Sequence, residues 1–304
     1  MQNPRQTLPL SMPSPHNRLV LPALLACYFI WGSTYLAIHL ALPSFPPFFQ
    51  MATRFLAAGG LLMAWLCWRG HAQPTRTEWR NAVLVGVLML GGGMGLTAQA
   101  SLHIGSGLIA TFIAIVPMMT SGWGLLFGQR PSRLELAGML TGLVGVCVLV
   151  QGASFSAAPV GLLCIIGATL TWSLGSVLST TRLPLAKGPM GFASQMLCGG
   201  AALLLVSLAL GEHMVWPPTL EASAAWLYLV LAGSLVAFSA YMYLLAHASS
   251  AVATSYAFVN PLIALFLGVV MAGEVVMAKE WLACGIILLG VVFILVAGQK
   301  SPKH

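Results

Sequence analysis

Long apolar stretches alternate with short polar breaks along most of the chain, and charged residues, prolines or polar clusters bound each stretch. A helix needs about 20 apolar residues to cross about 30 Å of hydrocarbon, so each stretch fits one membrane-spanning helix. The pattern therefore predicts ten spans, which lie near residues 19–40, 47–68, 79–100, 105–127, 133–151, 159–180, 189–211, 223–246, 250–272 and 279–298.

The spans are expected to be helices, because none shows the apolar–polar alternation of a barrel strand. Helices and closed barrels are the structures that satisfy backbone polar groups in hydrocarbon. Composition supports a membrane protein, since 59% of the 304 residues are hydrophobic and 6% are charged. Soluble domains carry about 25% charged residues, so lipid must be the solvent for much of this chain. We predict an all-α membrane protein with ten transmembrane helices.

The cations predict the orientation, because cytoplasmic loops of membrane proteins carry an excess of Lys and Arg. With a cytoplasmic N-terminus, Lys279 lies outside, Arg54 lies within a span, and every other cation lies inside. The tails, residues 1–18 and 299–304, are then both cytoplasmic. The formal charge of +7 forms no basic run, so we expect no nucleic-acid partner. The inward cations are Arg5, Arg18, Arg69, Arg76, Arg80, Arg130, Arg133, Arg182, Lys187, Lys300 and Lys303.

The two halves of the chain resemble each other. HIGSGLIATFIAIVP (103–117) matches HASSAVATSYAFVNP (247–261), which indicates an internal duplication. We expect one five-helix repeat in residues 19–151 and a second in residues 159–298. A unit with five spans ends on the opposite side of the membrane from its start, so the second copy must be inverted. Inverted repeats are typical of transporters that expose one site to each side in turn.

Motifs in both halves carry a family resemblance. The first span contains YFIWGSTYLAI (28–38), and the second contains an Arg-Phe pair in ATRFLAAGGLL (52–62). Prolines centre the fourth and ninth spans, in ATFIAIVPMMTSGWG (110–124) and AYMYLLAHASSAVATSYAFVNPLIALFLGVVMAGE (240–274). With these motifs the chain resembles the drug/metabolite transporter superfamily, specifically its EamA family of ten-helix permeases and the YedA-like inner-membrane permeases within it. The chain departs at Gln129, where the family often has Glu.

The resemblance implies a secondary transporter of the bacterial inner membrane that exports amino acids or related small metabolites. Export of drugs, import of a vitamin-like metabolite and a non-transporting membrane subunit remain alternatives. We find no H-E-x-x-H, G-x-S-x-G or P-loop motif, so we expect no enzyme, no metal and no cofactor. The expected partners are a small-molecule substrate and the lipid bilayer, and the chain is a monomer or a homodimer.

Arg54 is the cation that the pattern places inside a span, about seven residues from its start. A charged residue in the middle of a membrane helix costs about 2.5–3.5 kcal/mol on insertion scales, so Arg54 should face the bundle interior or water. One hypothesis makes it a ligand for a substrate carboxylate or phosphate through bidentate hydrogen bonds. The other makes it a structural pin bonded to carbonyls.

Aromatic and small polar residues lie near the centres of several spans, although Trp and Tyr normally prefer the membrane interface. They are candidates for the wall of an amphipathic substrate cavity, and the alternative is ordinary helix packing by small polar residues. Trp31 and Trp172 occupy matching positions in the two halves, whereas Asn260 matches the apolar Val116. The candidates are Trp31, Thr34, Tyr35, Trp172, Ser173, Tyr241, Tyr256 and Asn260.

Pro117 and Pro261 are predicted near the middle of their helices. Proline removes a backbone hydrogen bond and kinks a helix, so we expect both residues to act as hinges. The centres of the predicted spans contain no Glu or Asp, which removes the usual carboxylate proton relay. His39 is then the candidate for carrying a proton, because an unperturbed imidazole titrates near pH 6.5.

Overall fold

The computed structural model describes residues 19–104, 109, 112–150, 159–272 and 278–300. In these residues the backbone is helical apart from short turns and loops. The helices are α1 (Val20–Ala41), α2 (Pro47–Trp68), α3 (Arg76–Ala100), α4 (Val116–Leu126), α5 (Arg133–Val150), α6 (Pro159–Thr181), α7 (Pro189–Ala209), α8 (Leu220–His247), α9 (Ser250–Thr254), α10 (Tyr256–Ala272) and α11 (Ala278–Lys300).

The all-α class is confirmed, and six helices in the described ranges are long and apolar enough to cross a membrane: α1, α2, α3, α6, α7 and α8. The span expected near residues 105–127 lies partly outside the described residues, and α4 forms its second half. The predicted N-terminal tail, residues 1–18, and the last part of the predicted C-terminal tail 299–304, residues 301–304, also lie outside them. The full set of ten spans stays a prediction.

Local sequence signals set the helix starts. Pro47 occupies the first turn of α2, where a missing N–H costs nothing. Thr75 and Glu78 form a capping box at the start of α3. The carboxylate of Glu212, which follows α7, accepts the backbone N–H groups of Phe48 (3.2 Å) and Phe49 (2.7 Å). This carboxylate therefore satisfies the first free donors of α2 and ties two helix ends together.

Glycines let two pairs of helices pack closely, α5 against α11 and α2 against α7. A Cβ added at Gly290 of α11 would lie 2.6 Å from the Gly142 nitrogen and 2.7 Å from the Gly138 oxygen of α5. A Cβ at Gly59 of α2 would lie 2.9 Å from Met196 Cβ of α7. Small residues thus bring the helix backbones into contact within one chain, as they often do in membrane proteins.

The first helix of each predicted repeat packs into the other half of the chain. Helix α1 lies against α8 and α10, whereas α6 lies against α3 and α4. Within the described residues, three helices contain π-helical segments, at Cys27–Trp31 in α1, Val87–Gly95 in α3 and Leu229–Phe238 in α8. Helix α6 is α-helical throughout. Single π turns leave carbonyls out of the regular ladder and are frequent at functional sites.

The two prolines differ from each other in position. Pro261 lies inside α10, as expected for a kink-forming residue. Pro117 lies in the first turn of α4, just after a turn at residues 114–115, so the prediction of a mid-helix position was wrong. The first turn of a helix accepts proline because its N–H groups have no partner within the helix. The hinge role of both residues stays a prediction.

Candidate functional site

Four aromatic side chains from four helices meet in the middle of the bundle, and we call them the aromatic tier. Trp31 (α1) lies with its ring centroid 5.5 Å from that of Trp172 (α6), 5.1 Å from Tyr241 (α8) and 4.7 Å from Tyr256 (α10). Trp172 stacks on Tyr241 at 5.3 Å. These distances lie in the range where aromatic pairs attract beyond their area burial. Helices from both halves of the chain therefore meet at one contact.

Hydrogen bonds fix the edges of the tier. The Ser176 and Tyr241 hydroxyls lie 2.8 Å apart and share a hydrogen bond. The Trp31 indole N–H donates to the Gly233 carbonyl at 3.2 Å, inside the π segment of α8. One turn before Trp31, the Tyr28 hydroxyl bonds to Ser255 at 2.7 Å. Each of these bonds connects helices that are distant in sequence, so the tier is held by directional contacts as well as by packing.

A small cavity of about 40 Å³, the inner cavity, lies beside the tier. A cavity needs about 10–15 Å³ by this measure to hold one water, so the inner cavity has room for a few waters and for no metabolite in this conformation. Five predicted residues line it: Trp31, Thr34, Tyr35, Trp172 and Tyr256. Helix α3 adds Met94 and Thr97 to the wall, and sequence reasoning missed both. A solute can enter only if the tier rearranges.

A much larger vestibule of about 950 Å³ lies on the other side of the tier. Its wall includes Arg130, Glu135, Lys187, Ser179 and Met242. The order of residues along α6 fixes the arrangement, because each residue advances about 1.5 Å along a helix. Thr169 and Trp172 line the inner cavity, Ser176 holds Tyr241, and Ser179 and Thr180 line the vestibule. The Ser176–Tyr241 pair therefore lies between the two spaces.

Arg54 is fully buried, with 0% of its side chain exposed. Its Nε donates to the Ser234 hydroxyl at 2.6 Å, and its Nη1 lies 3.7 Å from the Met51 sulfur. Nη2 has no hydrogen-bond partner among the described residues. Arg54 is not among the residues that line the inner cavity. Direct binding of a substrate by Arg54 stays a prediction.

Asn260 and Ser173 lie behind the walls, both with 0% of the residue exposed. The Asn260 amide donates to the Tyr35 hydroxyl at 3.2 Å, while its Oδ1 has no hydrogen-bond partner in the described part of the chain. Ser173 accepts a hydrogen bond from the Trp123 indole at 3.2 Å and donates to the Leu170 carbonyl. Trp123 was not among the predicted residues, because no motif in its predicted span indicates Ser173 of α6 as a hydrogen-bond partner.

The sequence profile of the EamA-like transporter family matches residues 18–151 and matches again at residues 159–296. The chain belongs to this family. The family resemblance predicted from the motifs is therefore confirmed.

Named relatives of this EamA-like transporter agree with the match. The inner membrane transporter YedA of Escherichia coli (strain K12) is 41% identical over 289 residues, which cover 94% of each chain. Protein PecM of Dickeya dadantii (strain 3937) is 27% identical over 268 residues, covering 87% of this chain and 86% of PecM. These relatives and the apolar helices identify a multi-pass inner membrane transporter, and the family is one of transporters and not of enzymes.

A solved crystal structure shares the fold of this EamA-like chain, with a TM-score of 0.73 and 21% sequence identity. The alignment covers 94% of this chain and 99% of that one. The helical arrangement is thus shared over nearly the whole length of both chains.

Proposed function

We propose that this EamA-like chain is a secondary transporter that exports amino acids or related small metabolites by alternating access. The observation that carries the proposal is the position of the aromatic tier. It lies between a vestibule of about 950 Å³ and an inner cavity of about 40 Å³, and helices of both halves build it. A relative movement of the two halves would separate the tier rings and pass a solute from one space to the other.

Several observations support a pair of inverted five-helix units, residues 19–151 and 159–298, with ten spans in total. The family profile matches once in each unit. The π segments of α3 and α8, Val87–Gly95 and Leu229–Phe238, occupy corresponding places in the two units. The reciprocal packing of α1 and α6 gives each half one helix from the other. An odd number of spans per unit then inverts the second unit in the membrane.

The charges support an orientation with the vestibule and both termini on the cytoplasmic side. Arg130 and Lys187 line the vestibule, and Arg182 follows the helix that leads into it. Cytoplasmic loops carry such an excess of cations. Glu212 lies at the other end of α7, beside the start of α2. A vestibule that is wide on the cytoplasmic side is ready to take up a solute from the cell, as export requires.

The residues that line the inner cavity favour an amphipathic solute such as an amino acid. Trp31, Trp172 and Tyr256 present aromatic faces, which attract apolar groups and also ammonium groups. The hydroxyls of Thr34 and Tyr35 add polar contacts. Behind Tyr35, the free Oδ1 of Asn260 can accept a hydrogen bond from a solute N–H group once the wall opens.

A screen in liposomes tests the function. The purified protein is reconstituted, and uptake of radiolabelled amino acids, vitamins and drugs is compared with uptake by empty liposomes. For a solute that is transported, Trp172→Phe should change the rate by up to about tenfold, because a tier contact is worth up to about 1.5 kcal/mol and 1.4 kcal/mol corresponds to a factor of ten. Trp281→Phe, on the exposed face of α11, is the matched control and should leave the rate within about twofold.

Two outcomes would contradict the proposal. Transport of none of the amino acids, with transport of a drug, would favour the alternative exporter function. Equal rates in Trp172→Phe and the unmodified protein would remove the tier from the pathway.

Labelling of single cysteines in spheroplasts tests the orientation separately, and Lys187→Cys and Glu212→Cys should react from opposite sides of the membrane.

A further inference from the structure

Two hydrogen bonds, joined by the peptide bond between Gly233 and Ser234, connect the buried Arg54 to the aromatic tier. The Arg54 Nε donates to the Ser234 hydroxyl at 2.6 Å. That hydroxyl donates at 3.0 Å to the carbonyl of Leu229, five residues earlier in the π segment of α8. Gly233 precedes Ser234 in the sequence, and its carbonyl oxygen accepts a hydrogen bond from the Trp31 indole N–H at 3.2 Å. The guanidinium and the tier therefore act on neighbouring residues of one π turn.

Gly233 lies close to both Arg54 and Thr34. A Cβ added there would lie 2.7 Å from Arg54 Nη2 and 3.2 Å from Thr34 Cγ2. A side chain at this position would therefore overlap the guanidinium unless Arg54 moved. Thr34 lines the inner cavity, so Gly233 lies near both Arg54 and one residue of the cavity wall.

The guanidinium keeps one nitrogen, Nη2, whose two N–H donors are unused among the described residues. Arg54 is fully buried, its Nη2 has no hydrogen-bond partner, and no ion pair with a carboxylate forms within the described ranges of the chain. A purely structural arginine would be expected to satisfy its donors, because a buried unpaired N–H is costly. A backbone carbonyl of the neighbouring π turn could serve as an acceptor for Nη2. The Gly233 carbonyl oxygen accepts a hydrogen bond from the Trp31 indole in this conformation.

We infer that Arg54 is a positioning residue that holds the π turn of α8 through Ser234 and takes over the Gly233 carbonyl when Trp31 releases it. This role rests on the proposed function, since a solute must displace Trp31 to open the tier. This exchange of donors keeps the Gly233 carbonyl oxygen paired in both states, so Trp31 moves without leaving a buried acceptor unsatisfied. Arg54 acts through Gly233 and need not touch the solute.

Fluorine NMR of 5-fluorotryptophan-labelled protein in detergent micelles tests this role without any substrate. Trp31→Phe identifies the Trp31 signal by its disappearance. Arg54→Gln and Ser234→Ala should each shift or split the Trp31 signal and leave the signal of Trp281, which is exposed on α11, in place. Arg69→Gln, a cation change at the exposed end of α2, is the matched control and should change neither signal.

An unchanged Trp31 signal in Arg54→Gln would overturn the inference. If Arg54→Gln shifts every tryptophan signal through loss of the fold, Ser234→Ala decides by the same criterion. Arg54→Lys should not restore the signal, because a lysine lacks the planar fork that donates in two directions.

Transport kinetics separate this role from direct binding. For a solute found in the liposome screen, a positioning role predicts that Arg54→Gln lowers turnover more than it raises KM, to the same degree for neutral and anionic solutes. A selective rise of KM for anionic solutes would instead make Arg54 a ligand and overturn the inference. The NMR result does not depend on transport, so a failure of the proposed function can be recognised separately.

Discussion

Helices α1 and α6 occupy the same place in the two halves of the chain, yet different forces hold them. The polar side chains of α1 reach across to α8 and α10, in the pairs Tyr28–Ser255, Trp31–Gly233, Ser33–Tyr228 and Tyr35–Asn260. Most hydroxyls of α6 bond to carbonyls of their own helix, as Thr169, Thr171 and Ser179 do. Directional bonds thus secure α1 along much of its length.

The interface between α6 and α3 depends on shape instead. A Cβ added at Gly92 of α3 would lie 2.5 Å from Thr171 Oγ1, and one at Gly93 would lie 2.8 Å from Trp172 Cε3. One at Gly175 of α6 would lie 2.6 Å from Met89 Cγ. An interface made of glycine backbone and flat side chains can slide without breaking hydrogen bonds. The difference indicates that α6 and α3 can shift against each other more easily than α1 can shift against α8 and α10.

The largest effect is expected from filling the α3–α6 contact. Gly93→Val should destabilise the protein by about 1–3 kcal/mol, because the new side chain overlaps Trp172, which itself stacks on Tyr241. Thermal unfolding in detergent measures the change. Gly91→Val is the matched control, since the nearest atom to its Cβ is Val87 Cγ1 at 3.9 Å. Equal destabilisation by the two substitutions would show that shape does not limit this interface.

A smaller effect is expected at a bond of α1. A double-mutant cycle with Tyr28→Phe and Ser255→Ala should give a coupling of about 0.6 kcal/mol and at most about 1.7 kcal/mol, the range measured for hydrogen bonds between membrane helices. Their hydroxyls lie 2.7 Å apart. The same cycle with Tyr28→Phe and Ser179→Ala should give no coupling, since Ser179 bonds within α6. Zero coupling for the first pair would remove the distinction between the two helices.

The smallest effect is expected from two single serines. Ser33→Ala should cost a few tenths of a kcal/mol, because Ser33 bonds to the Tyr228 hydroxyl at 2.6 Å in a partly exposed position. Ser179→Ala should change the stability by less than that, because its hydroxyl bonds to a carbonyl that is already paired within α6. Thermal unfolding of both variants in one detergent compares them. A larger loss in Ser179→Ala would reverse the expected order.

The sequence predicts the helices and part of the site for physical reasons. Apolar length is enough to place spans such as α2 and α7 within a few residues. The sequence places Trp31 and Trp172 at matching positions in the two halves and makes both candidates for a cavity wall, and their ring centroids lie 5.5 Å apart in the structure. These features depend on local composition and on the internal duplication, and both are visible in the amino-acid sequence.

Other features depend on geometry that composition does not carry. The Arg54–Ser234 bond depends on the π turn in α8, which changes the face that Ser234 presents. The Trp123–Ser173 bond joins α4 and α6 at a register set by packing. Pro117 begins a helix because the chain turns at residues 114–115, and no single residue type announces that turn.

The reciprocal placement of α1 and α6 has a consequence for biosynthesis. The first helix leaves the ribosome long before α8 and α10 exist, so it must wait in the bilayer without its final neighbours. Its buried hydroxyls and indole stay exposed to lipid until the last third of the protein has been made. A gene split between α5 and α6 should therefore yield two fragments that accumulate only when both are produced in the same cell.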